Sequence, residues 1–179
     1  MKEKLVGKTA LVTGSSRGIG KAIALDLADA GCNVILNYFH SEKAAQETKK
    51  QIEAKKVKCW MYKADVADRS QSDAMVEDIL KNEGGVDILV NNAGINRDRT
   101  FLKMTREMWD EVLGVNLNGP FNVTHGLLPH MVEKGWGRII NISSMGGQTG
   151  NFGQANYSVT KGGLIAFTMT LAREVARKG

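Results

Sequence analysis

Short apolar runs rich in β-branched residues alternate along this chain with longer segments in which apolar residues recur every three or four positions. The short runs are typical of buried strands, and the longer segments are typical of helices with one apolar face. Gly, Asp or Asn bounds each short run, and these residues favour turns. The pattern predicts strands over residues 9–13, 33–37, 57–62, 86–90 and 138–142.

Helical periodicity fills the intervals between these runs, beginning with residues 18–30. In that segment Ile19, Ile23 and Leu27 share one face, which we expect to be buried against the sheet. Gly31 follows directly and suits the left-handed conformation that ends many helices. Further helices are predicted over residues 41–56, over 68–82 with Met75, Val76, Ile79 and Leu80 on its apolar side, from 105 onward, and over 154–178.

Helices that separate consecutive strands require crossover connections, and such connections produce parallel strands. The expected fold is therefore α/β, a Rossmann-type doubly wound parallel sheet with helices on both faces. No repeat, linker or low-complexity tract divides the 179 residues, so we expect a single domain.

A glycine-rich turn follows the first predicted strand, with residues 13–20 reading Thr-Gly-Ser-Ser-Arg-Gly-Ile-Gly. Glycines there permit a tight turn and the close approach of a pyrophosphate to a helix N-terminus. The spacing is Gly-x-x-x-Gly-x-Gly rather than the commoner Gly-x-Gly-x-x-Gly, and such a turn alone is also compatible with an ordinary surface turn. Its place between a strand and an apolar helix favours dinucleotide binding by Gly14, Ser16, Arg17, Gly18, Ile19 and Gly20.

The end of the second predicted strand indicates which dinucleotide is bound. An acidic residue at this place holds the ribose 2′-hydroxyl of NAD and would repel the 2′-phosphate of NADP. Residues 37–40 are Asn, Tyr, Phe and His, without a carboxylate, and Arg17 is available in the glycine turn. The sequence therefore predicts NADP as the cofactor, with Asn37 among its contacts.

Tyr157 and Lys161 are four residues apart on a predicted helix and so share one face. The pKa of a free phenol lies far above neutral pH, but an ammonium about 4 Å away favours the phenolate by roughly 4 kcal/mol at an effective dielectric of about 20. Tyr157 can then act as a general acid towards a developing alkoxide, or as a base in reverse. Ser143 and Ser144 directly follow the fifth strand, where ligands bind in open α/β folds.

The glycine turn, the Asn91-Asn92-Ala93-Gly94 turn after the fourth strand, and the Ser, Tyr and Lys set together resemble the short-chain dehydrogenase/reductase family. The resemblance covers essentially the whole chain. It implies an oxidoreductase that moves a hydride between nicotinamide and a carbonyl carbon. It selects Ser144 over its rival Ser143 as the catalytic serine, and it places Asn92, Ala93, Gly94, Asp65 and Val66 beside the cofactor with Tyr157 and Lys161.

The resemblance also implies that Asn116 is a catalytic residue, whose backbone carbonyl holds a water in a proton relay to Lys161. The residues give a separate reason for that free carbonyl. Pro120 has no N–H, so a helix through this region leaves the carbonyl of Asn116 without its usual partner, and we expect a kink.

Each of these residues also has an ordinary structural interpretation. Tyr157 suits an interface, Lys161 a solvated helix face, Ser144 or Asp65 a turn, and Asn116 a helix break. Only their coincidence with the glycine turn favours catalysis. A dinucleotide-binding protein without activity is the alternative to an enzyme, and the intact Ser, Tyr and Lys set argues against it.

Within the family, the runs at residues 94–98, 135–144 and 153–157 resemble reductases of 3-oxoacyl thioesters carried on acyl carrier protein or on CoA. The two carriers are not separated by these residues, and another carbonyl or alcohol substrate is the alternative. The family is usually homotetrameric, so a homotetramer is expected.

The formal net charge of +5 is scattered rather than gathered in a block, which suits phosphorylated small molecules better than nucleic acid. Cys32 and Cys59 have no Cys or His neighbours at metal-ligand spacing, so we expect buried, reduced thiols and no metal. With neither a signal peptide nor an apolar segment long enough to span a bilayer, the chain is predicted to be cytoplasmic and not membrane-bound.

The sequence ends at Gly179, after the sixth predicted helix and with five predicted strands, whereas a doubly wound dinucleotide fold has six strands. Relatives continue into further strands and a substrate loop, so the expectation is that these C-terminal parts are missing here. A fragment of this extent would expose a sheet edge and would lack activity by itself.

Overall fold

All of the predicted strands form, and they lie in one parallel sheet. The computed structural model describes residues 5–179. Its strands are β1 (Thr9–Val12), β2 (Asn33–Tyr38), β3 (Cys59–Lys63), β4 (Ile88–Asn91) and β5 (Arg138–Asn141). They are arranged in the order β3-β2-β1-β4-β5, and every neighbouring pair is parallel. Because the chain leaves β1 towards β2 and returns on its other side at β4, the carboxyl ends of β1 and β4 flank a crevice.

Helices connect the strands, close to the predicted places. They are α1 (Gly18–Asp29), α2 (Glu42–Glu53), α3 (Arg69–Asn82), α4 (Arg106–Leu113), α5 (Gly119–Lys134), α6 (Gly146–Thr149) and α7 (Ala155–Val175), with short 3₁₀ turns at Phe101–Lys103 and Ala176–Lys178. Among the residues described, no helix is long and apolar enough to cross a membrane.

Two apolar cores lie on opposite faces of the sheet, which confirms the doubly wound arrangement. On one face Leu11, Ile35 and Leu89 pack against α3 and α5 through residues such as Ile79 and Leu127. The other face is covered by α1 and α2. Cys32 and Cys59 are free thiols buried in this second core, as predicted, and burial raises the pKa of each to about 12.

The apolar face of α1 that was expected to be buried is buried only in part: Ile23 and Leu27 pack half-buried against the second core, whereas the prediction is wrong for Ile19. Ile19 is 65% exposed, and the buried residues of the helix are Gly20, Ala24 and Ala28, which also recur every fourth position. Small side chains let the helix backbone approach the sheet closely, whereas Ile19 projects from the first turn towards the crevice. Gly31 has a φ of +85°, as its predicted capping role requires.

The helix around Asn116 widens rather than simply kinking at Pro120. Residues Gly114–Asn118 form a π-helical segment between α4 and α5, in which the N–H of Gly119 donates to the carbonyl of Gly114. Pro120 then occupies the first turn of α5, where a missing N–H is tolerated. π-Helical segments inside α-helices are frequent at functional sites.

Candidate active site

Two adjoining cavities open at the carboxyl ends of the strands. The larger, of about 800 Å³, extends from the glycine turn past the end of β2 to the turn after β4. The smaller, of about 550 Å³, holds Ser144, Tyr157 and Lys161. The residues that line both are Ile19, Asn92, Gly94 and Ile95. A ligand that extends from one cavity into the other would bring its end beside the Ser, Tyr and Lys side chains.

The glycine turn is packed so closely that two of its glycines cannot be replaced. Gly14 has a φ of +62°, and a Cβ there would lie 2.8 Å from the Cα of Ala93. A Cβ on Gly20 would collide with the amide of Asn92. Gly18 differs, because a Cβ on it would meet nothing within 4 Å. Its positive φ of +59° and its place at the start of α1 explain the glycine there.

Hydrogen bonds join the glycine turn to the turn after β4. The Thr13 hydroxyl accepts from the N–H groups of Asn92 and Ala93, each at 3.0 Å. In return, the Asn92 amide donates to the carbonyls of Thr13 and Gly14 at 2.9 and 3.1 Å. The two turns therefore form one rigid wall of the cavity.

The N-terminus of α1 faces this cavity without a side-chain cap. Arg17 occupies the capping position with no capping hydrogen bond, and the first turn carries no acidic residue. Unpaired N–H groups and the positive end of a helix dipole favour an anion such as a pyrophosphate. The cavity is lined at this point by Ser16, Arg17, Gly18 and Ile19.

The Asn37 side chain is engaged by hydrogen bonds to backbone groups of the glycine turn and of the segment after β3. It is buried, accepts from the N–H of Gly14 at 3.3 Å and donates to the carbonyl of Ala64 at 3.0 Å. The cavity wall beyond it is formed by Tyr38, Phe39, His40 and Ser41, with the exposed Arg17 across from the end of β2.

Tyr157 and Lys161 face the smaller cavity from the first turns of α7. The Lys161 ammonium lies 5.7 Å from the centroid of the Tyr157 ring and donates to the Ile142 carbonyl at 2.7 Å. Lys161 is only 4% exposed, and this burial lowers its pKa below that of an ordinary lysine. Within residues 5–179, no carboxylate lies within 4 Å of this ammonium.

The two candidate serines differ in what their hydroxyls contact. The Ser143 hydroxyl donates to the backbone carbonyl of Lys161 at 2.7 Å and so braces α7. The Ser144 hydroxyl accepts from the N–H of Gly146 at 3.2 Å, which leaves its own proton available to the cavity. Among the described residues, the Ser143 hydroxyl therefore already donates to the backbone, whereas the Ser144 hydroxyl does not.

The chain matches the profile of one protein family, the short chain dehydrogenases, over residues 8–179. It belongs to the short-chain dehydrogenase family. A 3-oxoacyl-acyl-carrier-protein reductase from Staphylococcus aureus (strain Mu50) is 46% identical over 172 residues, which cover 96% of this chain and 70% of that protein. An acetoacetyl-CoA reductase from Allochromatium vinosum is 50% identical over 175 residues, 97% of this chain and 71% of the relative. A 3-oxoacyl-acyl-carrier-protein reductase from Aquifex aeolicus is 48% identical over 176 residues, 98% of this chain and 71% of the relative.

In this short-chain dehydrogenase, Asn116 is fully buried within the π-helical segment. Its side-chain oxygen accepts from the N–H of Ile95 at 2.8 Å, and its amide donates to the carbonyl of the same residue at 2.9 Å. The side chain thus holds the loop after β4 in place. A substitution of Asn116 would release that loop, so it would not test a water relay through the backbone carbonyl by itself.

Asp65 and Val66 line the larger cavity, and both also have hydrogen-bond partners within the protein. The Asp65 carboxylate accepts from the N–H of Ala67 at 2.9 Å and so closes its own turn. The carbonyl of Val66 accepts from Asn122 and from Ser72.

Four residues that line the smaller cavity were not predicted as site residues from the sequence: Ile95, Asn96, Ile142 and Gln154. The Gln154 amide donates to Asp98 at 2.9 Å, which ties the loop after β4 to the start of α7. Gln154 lies in the run 153–157 that carried the resemblance, and its closeness to Tyr157 was the available signal.

Proposed function

We propose that this short-chain dehydrogenase reduces 3-oxoacyl thioesters to 3-hydroxyacyl thioesters with NADPH, and that residues 1–179 form its single dinucleotide-binding catalytic domain. The relatives named above, at 46% and 50% identity, are reductases of such thioesters. The observation that carries the proposal is that Ser144, Tyr157 and Lys161 line one cavity, which adjoins the cavity at the glycine turn.

The larger cavity fits a phosphorylated dinucleotide. The uncapped N-terminus of α1 suits the pyrophosphate, and the open space at Gly18 leaves room for it. The end of β2 offers Phe39, His40 and Ser41 with no carboxylate among them, and Arg17 supplies a positive charge for a 2′-phosphate. Asn92, Ala93 and Gly94 would line the path towards the catalytic cavity.

A bound nicotinamide supplies the hydride for reduction of the carbonyl carbon. The Ser144 hydroxyl donates a hydrogen bond to the carbonyl oxygen and orients it. The Tyr157 hydroxyl gives its proton to that oxygen as negative charge develops. The Lys161 ammonium, fixed by the Ile142 carbonyl, places a positive charge beside the phenol and favours the phenolate that remains.

The thioester carrier is proposed to be acyl carrier protein or CoA. Both are anionic, and the formal net charge of +5 suits either. We also propose a cytoplasmic homotetramer as the working state, by analogy with the family.

The test follows NADPH consumption with acetoacetyl-CoA and with a short 3-oxoacyl carrier-protein thioester, in the parent enzyme and in Tyr157→Phe. We expect turnover with at least one thioester and a marked preference for NADPH over NADH. Loss of the phenol proton should lower kcat by about 10²- to 10⁴-fold while NADPH still binds. Equal use of NADH and NADPH would refute the cofactor assignment. Full activity of the Tyr157→Phe variant would refute the catalytic one.

A further inference from the structure

The residue before the catalytic tyrosine makes an unusual set of contacts. Asn156 is 0% exposed, and its side-chain oxygen accepts from the N–H of Tyr157 at 2.8 Å. Its amide donates to two backbone carbonyls from other parts of the chain, those of Arg97 and Met108, each at 3.1 Å. Both amide hydrogens and the oxygen are therefore engaged, so the side chain has a single fitting orientation.

These contacts join three elements. Tyr157 belongs to α7, Met108 to α4, and Arg97 to the loop that follows the Asn92-Ala93-Gly94 turn. That loop lines both cavities through Ile95 and borders the larger one through Arg97. Asn156 thus connects the backbone of the catalytic tyrosine directly to the loop that the nicotinamide and the substrate would lie against.

Several side chains and backbone groups hold this loop, among them the Gln154 amide that donates to Asp98. Asn116 binds the backbone of Ile95, Asn156 binds the carbonyl of Arg97, and the carbonyl of Gly153 accepts from the N–H of Arg99 at 2.8 Å. The attachment at Arg97 is the one made by the neighbour of Tyr157. Its loss would free the loop at Arg97 to shift relative to Tyr157, while the bonds at Ile95, Asp98 and Arg99 remain.

We infer that Asn156 is a positioning residue, which sets the distance between the Tyr157 hydroxyl and a carbonyl bound against the loop. The inference rests on the proposed function, since it concerns the same reduction. It assigns no chemistry to Asn156. Misplacement of a reacting group by about 1 Å can cost up to about 10²-fold in rate, so a large effect on kcat is expected from a residue that touches no reactant.

The experiment compares Asn156→Ala and Asn156→Asp with the parent enzyme, using NADPH and acetoacetyl-CoA. The aspartate keeps the oxygen that accepts from Tyr157 but cannot donate to Arg97 or Met108. We expect kcat to fall by about 10- to 100-fold in both variants. The Kd for NADPH, measured by fluorescence titration, should stay within about twofold, because the glycine turn does not contact Asn156. The pH profile of kcat should also change shape, which a lower fraction of folded enzyme would not produce.

Ser158→Ala is the matched control. Ser158 follows Tyr157 in the sequence, and its hydroxyl is buried without a hydrogen-bond partner among the described residues. Its removal should therefore leave kcat unchanged. If one Asn156 variant fails to fold, the other variant provides the test. Loss of NADPH binding in both variants would overturn the inference. Restoration of kcat by aspartate would also overturn it, because Asn156 would then serve only to cap the helix. An inactive parent enzyme would instead refute the proposed function.

Discussion

Two buried charges at opposite ends of the sheet are held in opposite ways. At the amino end, Asp87 is 2% exposed and accepts from the ammonium groups of Lys134 at 2.6 Å and Lys8 at 3.4 Å, and from the N–H of Thr9 at 2.9 Å. At the carboxyl end, Lys161 is buried to a similar degree, with the carbonyl of Ile142 as its hydrogen-bond partner. Among residues 5–179, the charge of Asp87 is compensated by opposite charges, and the charge of Lys161 is compensated by a carbonyl dipole.

The pKa values follow this difference. Burial alone would raise the pKa of Asp87, but the hydrogen bonds from Lys134 and Thr9 and the charges of both lysines outweigh it and lower the pKa. Burial lowers the pKa of Lys161, and no carboxylate in the described part of the chain opposes that effect. The ion pairs of Asp87 therefore stabilise the fold at the amino end of the sheet. At the carboxyl end, the buried charge of Lys161 has no opposite charge beside it among the described residues and lowers the stability of the fold.

The largest expected effect is that of Lys161→Met. Removing the ammonium beside Tyr157 should lower kcat for thioester reduction by at least about 10²-fold. The same change should raise the free energy of unfolding by about 1 kcal/mol, because the relief of a buried charge exceeds the loss of the hydrogen bond to Ile142. Steady-state kinetics and urea unfolding without cofactor measure the two quantities. A variant that is both inactive and less stable would contradict the view that Lys161 costs stability.

Asp87→Asn should have the opposite effects: it should lower the stability of the fold and leave kcat nearly unchanged. The amide keeps the shape of the carboxylate but leaves Lys8 and Lys134 without a counter-charge, so we expect a loss of about 2 kcal/mol in the free energy of unfolding. The loss stays below the figure of about 3–5 kcal/mol for a fully buried pair, because the two lysine side chains are 30% and 41% exposed and can turn to water. The kcat should remain within about twofold of the parent value, since Asp87 lies at the far end of the sheet. A large fall in kcat would show that the two ends are coupled.

Of the two buried charges, only Lys161 could be predicted from the sequence. The strands were predicted because β-branched runs carry a strong local signal, and Tyr157 and Lys161 were paired because helical spacing places them on one face. The family resemblance ordered the same residues around one cavity. No comparable pattern marks Asp87, whose partners Lys8 and Lys134 are distant in sequence and meet it only after the sheet forms.

The wrong prediction that Ile19 is buried in α1 has a similar cause. Hydrophobicity favoured Ile19, whereas close packing against the sheet required the small residues Gly20, Ala24 and Ala28, whose apolar signal is weak. The roles of Asn37, Asn116 and Asn156 depend on backbone groups far along the chain. Side-chain to backbone contacts of this kind leave no periodic pattern in a sequence, so the partners of these asparagines could be identified only in the folded structure.

The smallest expected effect concerns pH, and its sign differs between the two ends. Asp87 has a lowered pKa in the folded protein, so its stabilisation is complete above the pKa of an unfolded aspartate and is lost as the pH falls through the folded value. Lys161 has a lowered pKa too, so its cost is complete below the folded value and disappears as the pH rises towards the unfolded value. Urea unfolding of the parent and both variants between about pH 2 and pH 11 covers both changes and separates these contributions. As the pH falls into the acid range, the difference in unfolding free energy between the parent and Asp87→Asn should shrink by on the order of 1 kcal/mol. As the pH rises into the alkaline range, the difference between the parent and Lys161→Met should shrink by a similar amount. A difference that stays constant across the whole range for either variant would mean that the charge of that residue does not contribute to stability, and the contrast between the two ends of the sheet would then reduce to packing alone.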